Sequence, residues 1–217
     1  MASPSLTVDV LRAALATGAR QLATGAIDMS EARPAGVAVP IALGEEPTLY
    51  LVLRGSHLAD HAGEIAFPGG KREASDESLL HTAGREMREE VAVGEEEVEW
   101  LGELTPIPVI TGRFLIHPFV AVLNSGVVPR VASGEIAEVL SLPLLPYVRG
   151  EVPMRAVTAE WNGARMLAPH FPVGGRILYG ATAYITYELI ARTSAAMGTT
   201  LPPLVIENDA PWGKRYA

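Results

Sequence analysis

Apolar residues along the chain change period several times, and each change marks an element. Val8, Leu11, Leu15 and Leu22 recur at roughly helical spacing, which predicts an amphipathic helix over residues 5–22. A connector punctuated by glycine and proline follows, from Gly25 to Gly36 with Pro34 inside it. Runs rich in β-branched and aliphatic residues at 36–43 and 48–54 flank Gly44-Glu45-Glu46-Pro47, a strand, turn, strand signature. A short strand pattern at 64–67 stops at Pro68-Gly69-Gly70, where the chain is expected to turn. From Ser78 to Val91 the period becomes three and four, and Leu80, Ala83, Met87 and Val91 form one buried helical stripe. Residues 100–104, 114–123 and 139–145 read as further strands, and Asn162-Gly163 within 159–165 is a hairpin signal. Residues 177–197, with Ile177, Tyr184, Tyr187, Ile190 and Ala191, predict a long helix that Gly198 stops. This order lacks the regular βαβ cadence of a doubly wound sheet. The expected fold is therefore α/β, a mixed sheet with helices on both faces.

The length of 217 residues suits one domain with decorated ends, and neither an internal repeat nor a dividing linker interrupts it. The expected organisation is a helix and connector over 1–34, a central domain over 35–200 and a tail over 201–217. With 21 glycines and 17 prolines beside 48% apolar residues, disorder and collagen are excluded. The absence of cysteine removes disulfides, thiolate nucleophiles and cysteine-type zinc sites, and it accords with a reducing cytoplasm. A net charge of −8 argues against a surface built to hold nucleic acid or anionic lipid. Met1-Ala2-Ser3-Pro4-Ser5-Leu6-Thr7 has no basic region leading into an apolar one, so no secretory signal is expected, and prolines such as Pro40 and Pro143 break every apolar stretch before it could span a bilayer. A cytoplasmic protein, with a homodimer left open, is the expectation.

The acidic charge is not spread evenly. Residues 69–100 hold ten acids and four bases, so most of the net charge sits beside the glycine turn and the predicted helix. Glu86, Glu89 and Glu90 fall within an arc of about 100°, at the edge of the apolar stripe. Unpaired carboxylates there repel one another and resist ionisation, and a hard divalent cation such as Mg²⁺ relieves both effects. Gly69 and Gly70 allow backbone to approach a ligand closely and bring a carbonyl or amide into the site. Gly69-Gly70-Lys71 is not a P-loop, because Arg72 stands at the Ser/Thr position and the earlier glycine is missing. The histidines, His61 among them, are read as packed or surface residues rather than catalytic ones.

Gly70, Asp76 and Arg85-Glu86-Met87-Arg88-Glu89-Glu90-Val91-Ala92-Val93 resemble the Nudix box, the mark of hydrolases acting on nucleoside diphosphates linked to another moiety. Asp76 takes the first acidic position, eight residues instead of the family's seven separate it from Arg85, and Ala92 replaces a glycine. Upstream, Arg54, Leu58, His61, Gly63 and Phe67-Pro68-Gly69-Gly70 resemble the additional motif of the coenzyme A pyrophosphatase branch, with Gly55 where Ser or Ala is usual and Ala59 where a base is usual. Ile110-Thr111-Gly112, His117-Pro118-Phe119-Val120, Glu135-Ile136-Ala137-Glu138-Val139 and Tyr179-Gly180-Ala181-Thr182-Ala183 are similar to its downstream landmarks, so the likeness covers about residues 35–190.

The resemblance implies a Nudix-type α/β/α sandwich that hydrolyses a diphosphate linkage with Mg²⁺ or Mn²⁺, with no nucleic acid or membrane partner. Its substrate would be coenzyme A, cleaved to 3′,5′-ADP and 4′-phosphopantetheine. ADP-ribose or another nucleoside diphosphate derivative is the alternative, as is a Nudix-fold sensor that binds such a nucleotide without cleaving it. Glu86, Glu89 and Glu90 would be catalytic, and with Gly70 they would form the metal site; the i,i+4 spacing of Glu86 and Glu90 sets their Cβ atoms about 5–6 Å apart. Glu89 is either a third ligand or the general base, and a carboxylate in the 135–138 loop is the other candidate base. Arg85 would orient a carboxylate such as Asp76. Arg54, Gly69, Gly70, Lys71 and Arg72 would contact substrate, and Arg113 is a further cationic candidate.

Overall fold

In a computed structural model that describes residues 5–16, 32–109, 113–161 and 164–212, two apolar cores lie on opposite faces of one mixed sheet. Strands β1 (Arg33–Ala42) and β2 (Thr48–Arg54) show why. Val37, Val39 and Ile41 on β1 and Leu49, Leu51 and Leu53 on β2 feed one core, while Ala38 and Val52 feed the other. Alternate side chains of a strand point to opposite faces, so a continuous apolar run is buried on both.

The remaining strands of this sheet are β3 (Ile65–Ala66), β4 (Gly69–Lys71), β5 (Val98–Glu103), β6 (Ile107–Pro108), β7 (Phe114–Leu123) and β8 (Ile136–Pro143). The order along the main path is β3-β2-β1-β7-β5, with β4 on β1, β6 on β7 and β8 on β2. Among the described strands of this sheet only β1 and β7 run parallel, in register from Arg33↔Phe114 to Ala42↔Leu123. That pairing draws β1 back to Arg33, three residues earlier than its apolar run predicts. Pro40 sits inside β1 at no cost to the ladder. The Ala38 N–H donates to the Pro68 carbonyl at 2.8 Å, and the nitrogen two residues on points the same way, into the gap between the β4 and β2 registers where no donor is needed.

Helix α1 (Val8–Ala16) and helix α4 (Gly180–Ala196) cover the first core, and α2 (Leu79–Val91) covers the second. The architecture is thus an α/β/α sandwich around a mixed sheet. The predicted extension of α1 to residue 22 and most of the 25–36 connector lie outside the described residues. Among the described residues no helix is long and apolar enough to cross a membrane.

Later parts of the chain also differ from the sequence reading. The strand predicted at 139–145 ends at Pro143, and Leu145 opens a one-turn helix, α3 (Leu145–Val148), with Pro146 in its first turn. The helix predicted from 177 starts only at Gly180, because Ile177 and Leu178 belong to β11 (Arg176–Leu178) and pair with Pro172 and Phe171. A short apolar run reads equally well as helix or strand until its partner is known. Finally, β9 (Arg155–Trp161), β10 (Ala164–Val173), β11 and β12 (Val205–Glu207) form a second sheet in the order β11-β10-β9-β12. Asn162 and Gly163 lie outside the described residues, but β9 and β10 pair antiparallel on either side of them. Gly198, at φ 70°, follows the last turn of α4, as the stop signal predicts.

Candidate active site

Two glycines decide how closely α2 lies on the sheet. Gly36 on β1 and Gly70 on β4 are cross-strand partners. A Cβ on Gly36 would stand 2.2 Å from the Leu79 carbonyl oxygen, and one on Gly70 would stand 2.2 Å from a carboxylate oxygen of Glu86. Any side chain at Gly70 would displace the Glu86 carboxylate. The expected turn at Pro68-Gly69-Gly70 is therefore also the start of a strand, held flat against β1.

Helix α2 begins at Ser78, whose Oγ accepts the His81 N–H at 3.1 Å. Thr82, Ala83, Gly84, Met87, Glu90 and Val91 face inward, whereas Leu80, counted above in the buried stripe, is 36% exposed in the first turn. The helix ends on Ala92 in the left-handed region, φ 53°, with its N–H on the Arg88 carbonyl. That conformation explains why the matching motif carries glycine at this place: a Cβ costs about 1–2 kcal/mol there. Ala92→Gly is accordingly expected to raise stability by about 1 kcal/mol, seen as a higher urea midpoint at unchanged slope. An unchanged or lowered midpoint would contradict the strain at Ala92.

Arg85 organises the loop that precedes the helix. Its Nε and Nη2 donate to the two oxygens of Asp76 at 3.1 and 3.2 Å. The Thr82 hydroxyl at 2.9 Å and the Glu73 N–H at 2.9 Å also donate to this buried carboxylate, and His81 Nδ1 lies 3.3 Å from it. The Arg85 guanidinium, aided by those two donors, holds the Asp76 carboxyl well below the usual carboxylate range. Arg85 also reaches Glu86 at 3.0 Å and Glu89 at 3.2 Å, so one planar cation sets the direction of three carboxylates. Arg72, a candidate substrate contact in the sequence, spends its donors on the Asp76 and Glu77 carbonyls at 3.0–3.1 Å and pins the same loop.

Glu86 and Glu90 form the candidate ligand pair. Glu90 is 4% exposed, receives the Gly69 N–H at 3.2 Å, and has its pKa pushed up to about 7 by burial and then by the neighbouring Glu86 charge. Burial also raises Glu86, against the opposing pull of Arg85. Arg54, from the end of β2, lies 3.8 Å from Glu90 and 3.6 Å from Glu135, and its buried Nε has no hydrogen-bond partner among the described residues. Its charge is thus only loosely compensated.

The structure separates the candidate bases. Glu135 adds its charge to that felt by both Glu86 and Glu90, whereas Glu138 turns away to Arg176 at 3.4 Å. Glu89 is half exposed and tied to Arg85. Lys71 lies at the end of β4, beside Gly70 and within 5.7 Å of the Phe114 ring centroid. Sequence reasoning missed Gly36, and no local signal distinguishes it from the other glycines of the connector. Of the downstream landmarks, residues 110–112 lie outside the described residues.

Among the described residues no three His, Asp or Glu side chains are drawn into a preformed metal cage. The donor set nevertheless suits a hard divalent cation: a buried carboxylate, Glu90, and a partly buried one, Glu86, both resisting ionisation through burial and neighbouring acids, with Glu86 pressed against a glycine where no Cβ fits.

Comparison with known proteins adds the family. A model of the NUDIX domain matches residues 32–160. A protein of Enterobacter sp. (strain 638) described as an uncharacterized Nudix hydrolase NudL is 38% identical over 122 residues, 56% of this chain and 63% of its own length. A protein of the same description from Yersinia enterocolitica serotype O:8 / biotype 1B (strain NCTC 13174 / 8081) is 40% identical over 115 residues, 53% of this chain and 58% of its own. The matched part thus spans about three fifths of these curated relatives. Among solved structures, a binary complex of a C. elegans Ap4A hydrolase superposes with a TM-score of 0.44 at 17% identity, covering 51% of this chain and 80% of that one.

Proposed function

The chain belongs to the NUDIX domain family, and from that premise we propose that it hydrolyses the diphosphate linkage of a small nucleoside diphosphate derivative in the cytoplasm, with coenzyme A as the favoured substrate. The observation that carries the reading is the pair of buried Glu90 and partly buried Glu86, the latter set against Gly70, with Arg54 and Glu135 beside them. Glu86 and Glu90, with Glu89 and the Gly70 backbone, would hold Mg²⁺ or Mn²⁺, which when bound supplies neutralisation of the diphosphate charge and a more acidic water.

The protein's own groups then have separate tasks. Arg85 holds the ligand carboxylates in direction and leaves Asp76 to anchor the loop. Arg54, whose terminal nitrogens lie 3.8 and 3.6 Å from Glu90 and Glu135, would bind a phosphate oxygen through them. A carboxylate beside the pair takes the proton of the attacking water, and the water oxygen forms its bond to phosphorus as the bond to the bridging oxygen breaks. With coenzyme A the products are 3′,5′-ADP and 4′-phosphopantetheine.

Coenzyme A is favoured by the resemblance of the stretch from Arg54 to Gly70, both ends of which reach Glu90: the Arg54 guanidinium lies 3.8 Å from it and the Gly69 N–H donates to it at 3.2 Å. Incubation with Mg²⁺ and a panel of coenzyme A, ADP-ribose, NADH and diadenosine polyphosphates, with products identified by mass, tests both levels. Coenzyme A is expected to give the highest kcat/KM. A tenfold preference for ADP-ribose would reject the substrate while leaving the reaction, and binding without turnover of any diphosphate would favour the sensor.

A further inference from the structure

The end of the sheet next to Gly70 carries a second charged feature of opposite sign. Arg33 pairs with Phe114 across β1 and β7, and Lys71 pairs with Ala35, two residues further along β1. By strand alternation Arg33, Phe114 and Lys71 therefore project from one face. Their geometry agrees: the Arg33 guanidinium carbon lies 4.9 Å from the Phe114 ring centroid and the Lys71 ammonium 5.7 Å from it. Arg113 adjoins them, its carbonyl accepting the Arg33 N–H at 3.0 Å.

Neither Arg33 nor Lys71 has a carboxylate within salt-bridge reach among the described residues, although the chain holds 25 acids against 17 bases. Both cations are attracted by the aromatic face, and they repel one another. A dianion placed between them removes that repulsion and accepts charge-assisted hydrogen bonds from both. A carboxylate monoanion or a neutral group does so less well. The chemistry that fits is a phosphate monoester.

Position says which phosphate. Gly70 faces Glu86 on the α2 side, and the next residue, Lys71, points to the other face, with the two Cα atoms about 3.8 Å apart. A ligand whose diphosphate lies against Glu86 and Glu90 reaches Lys71 only by bending round the strand end, so the group over Phe114 belongs to another part of the molecule.

We propose that Arg33 and Lys71, gathered over the Phe114 ring at the strand ends, bind a phosphate monoester of the substrate that lies outside the scissile diphosphate. The substrate class this selects is a nucleoside diphosphate derivative carrying an extra phosphate. The assignment of the ligand as substrate rests on the hydrolase reading above; the anion site itself does not.

The direct test is calorimetric titration of the metal-free full chain with adenosine 3′,5′-bisphosphate and with AMP. The wild type is expected to bind the bisphosphate at least about tenfold more tightly, equivalent to about 1.4 kcal/mol, and Arg33→Ala/Lys71→Ala is expected to bind both alike. The charge-preserving Arg33→Lys/Lys71→Arg should keep the preference. If the double alanine variant does not fold, the single Lys71→Gln variant carries the comparison and should lose most of the preference. Equal affinities in the wild type, or a preference that survives loss of the cations, overturn the proposal. Turnover separates it from the reading it builds on: cleavage of coenzyme A and its 3′-dephospho form with equal kcat/KM sinks the phosphate site and spares the hydrolase. A bisphosphate preference without cleavage of any diphosphate sinks the hydrolase and spares the anion site.

Discussion

Glu90→Gln is expected to lose activity and gain stability at once. Its carboxylate is the more deeply buried of the candidate ligand pair, so removing the charge should lower kcat at saturating Mg²⁺ by more than the ~10–100-fold that loss of an outer-shell partner costs. In the metal-free protein the same charge is a burden. The folded pKa, about 7, lies above that of the unfolded chain, so the folded state binds the proton more tightly. The protonated form's stability is complete below the ordinary carboxylate range and drains as pH rises through about 7. Glu90→Gln keeps the neutral form at every pH. Its unfolding free energy from urea titration in chelator should exceed wild type by about 1–3 kcal/mol at pH 8, and the gap should close at pH 4. Wild-type turnover in the variant would reject the metal assignment, and a stability gap independent of pH would reject the electrostatic cause.

The second large effect distinguishes the base. Glu135→Gln is expected to lower kcat by about 10²–10⁴ with little change in Mg²⁺ affinity, the usual size of general-base catalysis. Glu89→Gln, by contrast, should weaken metal affinity and recover as Mg²⁺ is raised. Geometry motivates the order. Glu135 stands 3.6 Å from Arg54 and its charge is felt by both Glu86 and Glu90, while the Glu89 carboxylate is engaged by Arg85. Glu138→Gln should leave kcat within about tenfold of wild type, since its carboxylate faces Arg176. Metal titrations of the three variants, with kcat read at saturation, decide the matter: an unrescued loss confined to Glu89→Gln would move the base onto α2.

Several features were legible because they are local. A period of three and four places Ala83, Met87 and Val91 inward and leaves Glu86 and Glu90 at the edge of their stripe, whatever the helix packs on. The strand runs at 36–43 and 48–54 show burial on both faces through their unbroken apolar character, and the strands there differ from the reading by only a few residues. The bidentate role of Arg85 toward Asp76 also follows from residue type, since a guanidinium fork matches a carboxylate.

What the tertiary structure alone decided depends on which strands become neighbours. Gly36 and Gly70 are 34 residues apart in the chain, and only the β1·β4 register makes them one flat seat for α2. Glu135 and Glu138 look equivalent in sequence, yet the β2·β8 pairing and its irregularity at Leu53 and Arg54 carry one toward Arg54 and the other toward Arg176. Arg72 was drawn to carbonyls of its own loop, and Leu80 stayed outside the core because the first turn of α2 leaves it uncovered. The second sheet was least visible: β12 joins β9 across some fifty residues, and Ile177 became strand rather than helix once Pro172 stood opposite it. Side-chain pattern sets which face of an element is apolar, but strand register is fixed by the summed fit of distant segments, and no local window contains both partners of such a pair.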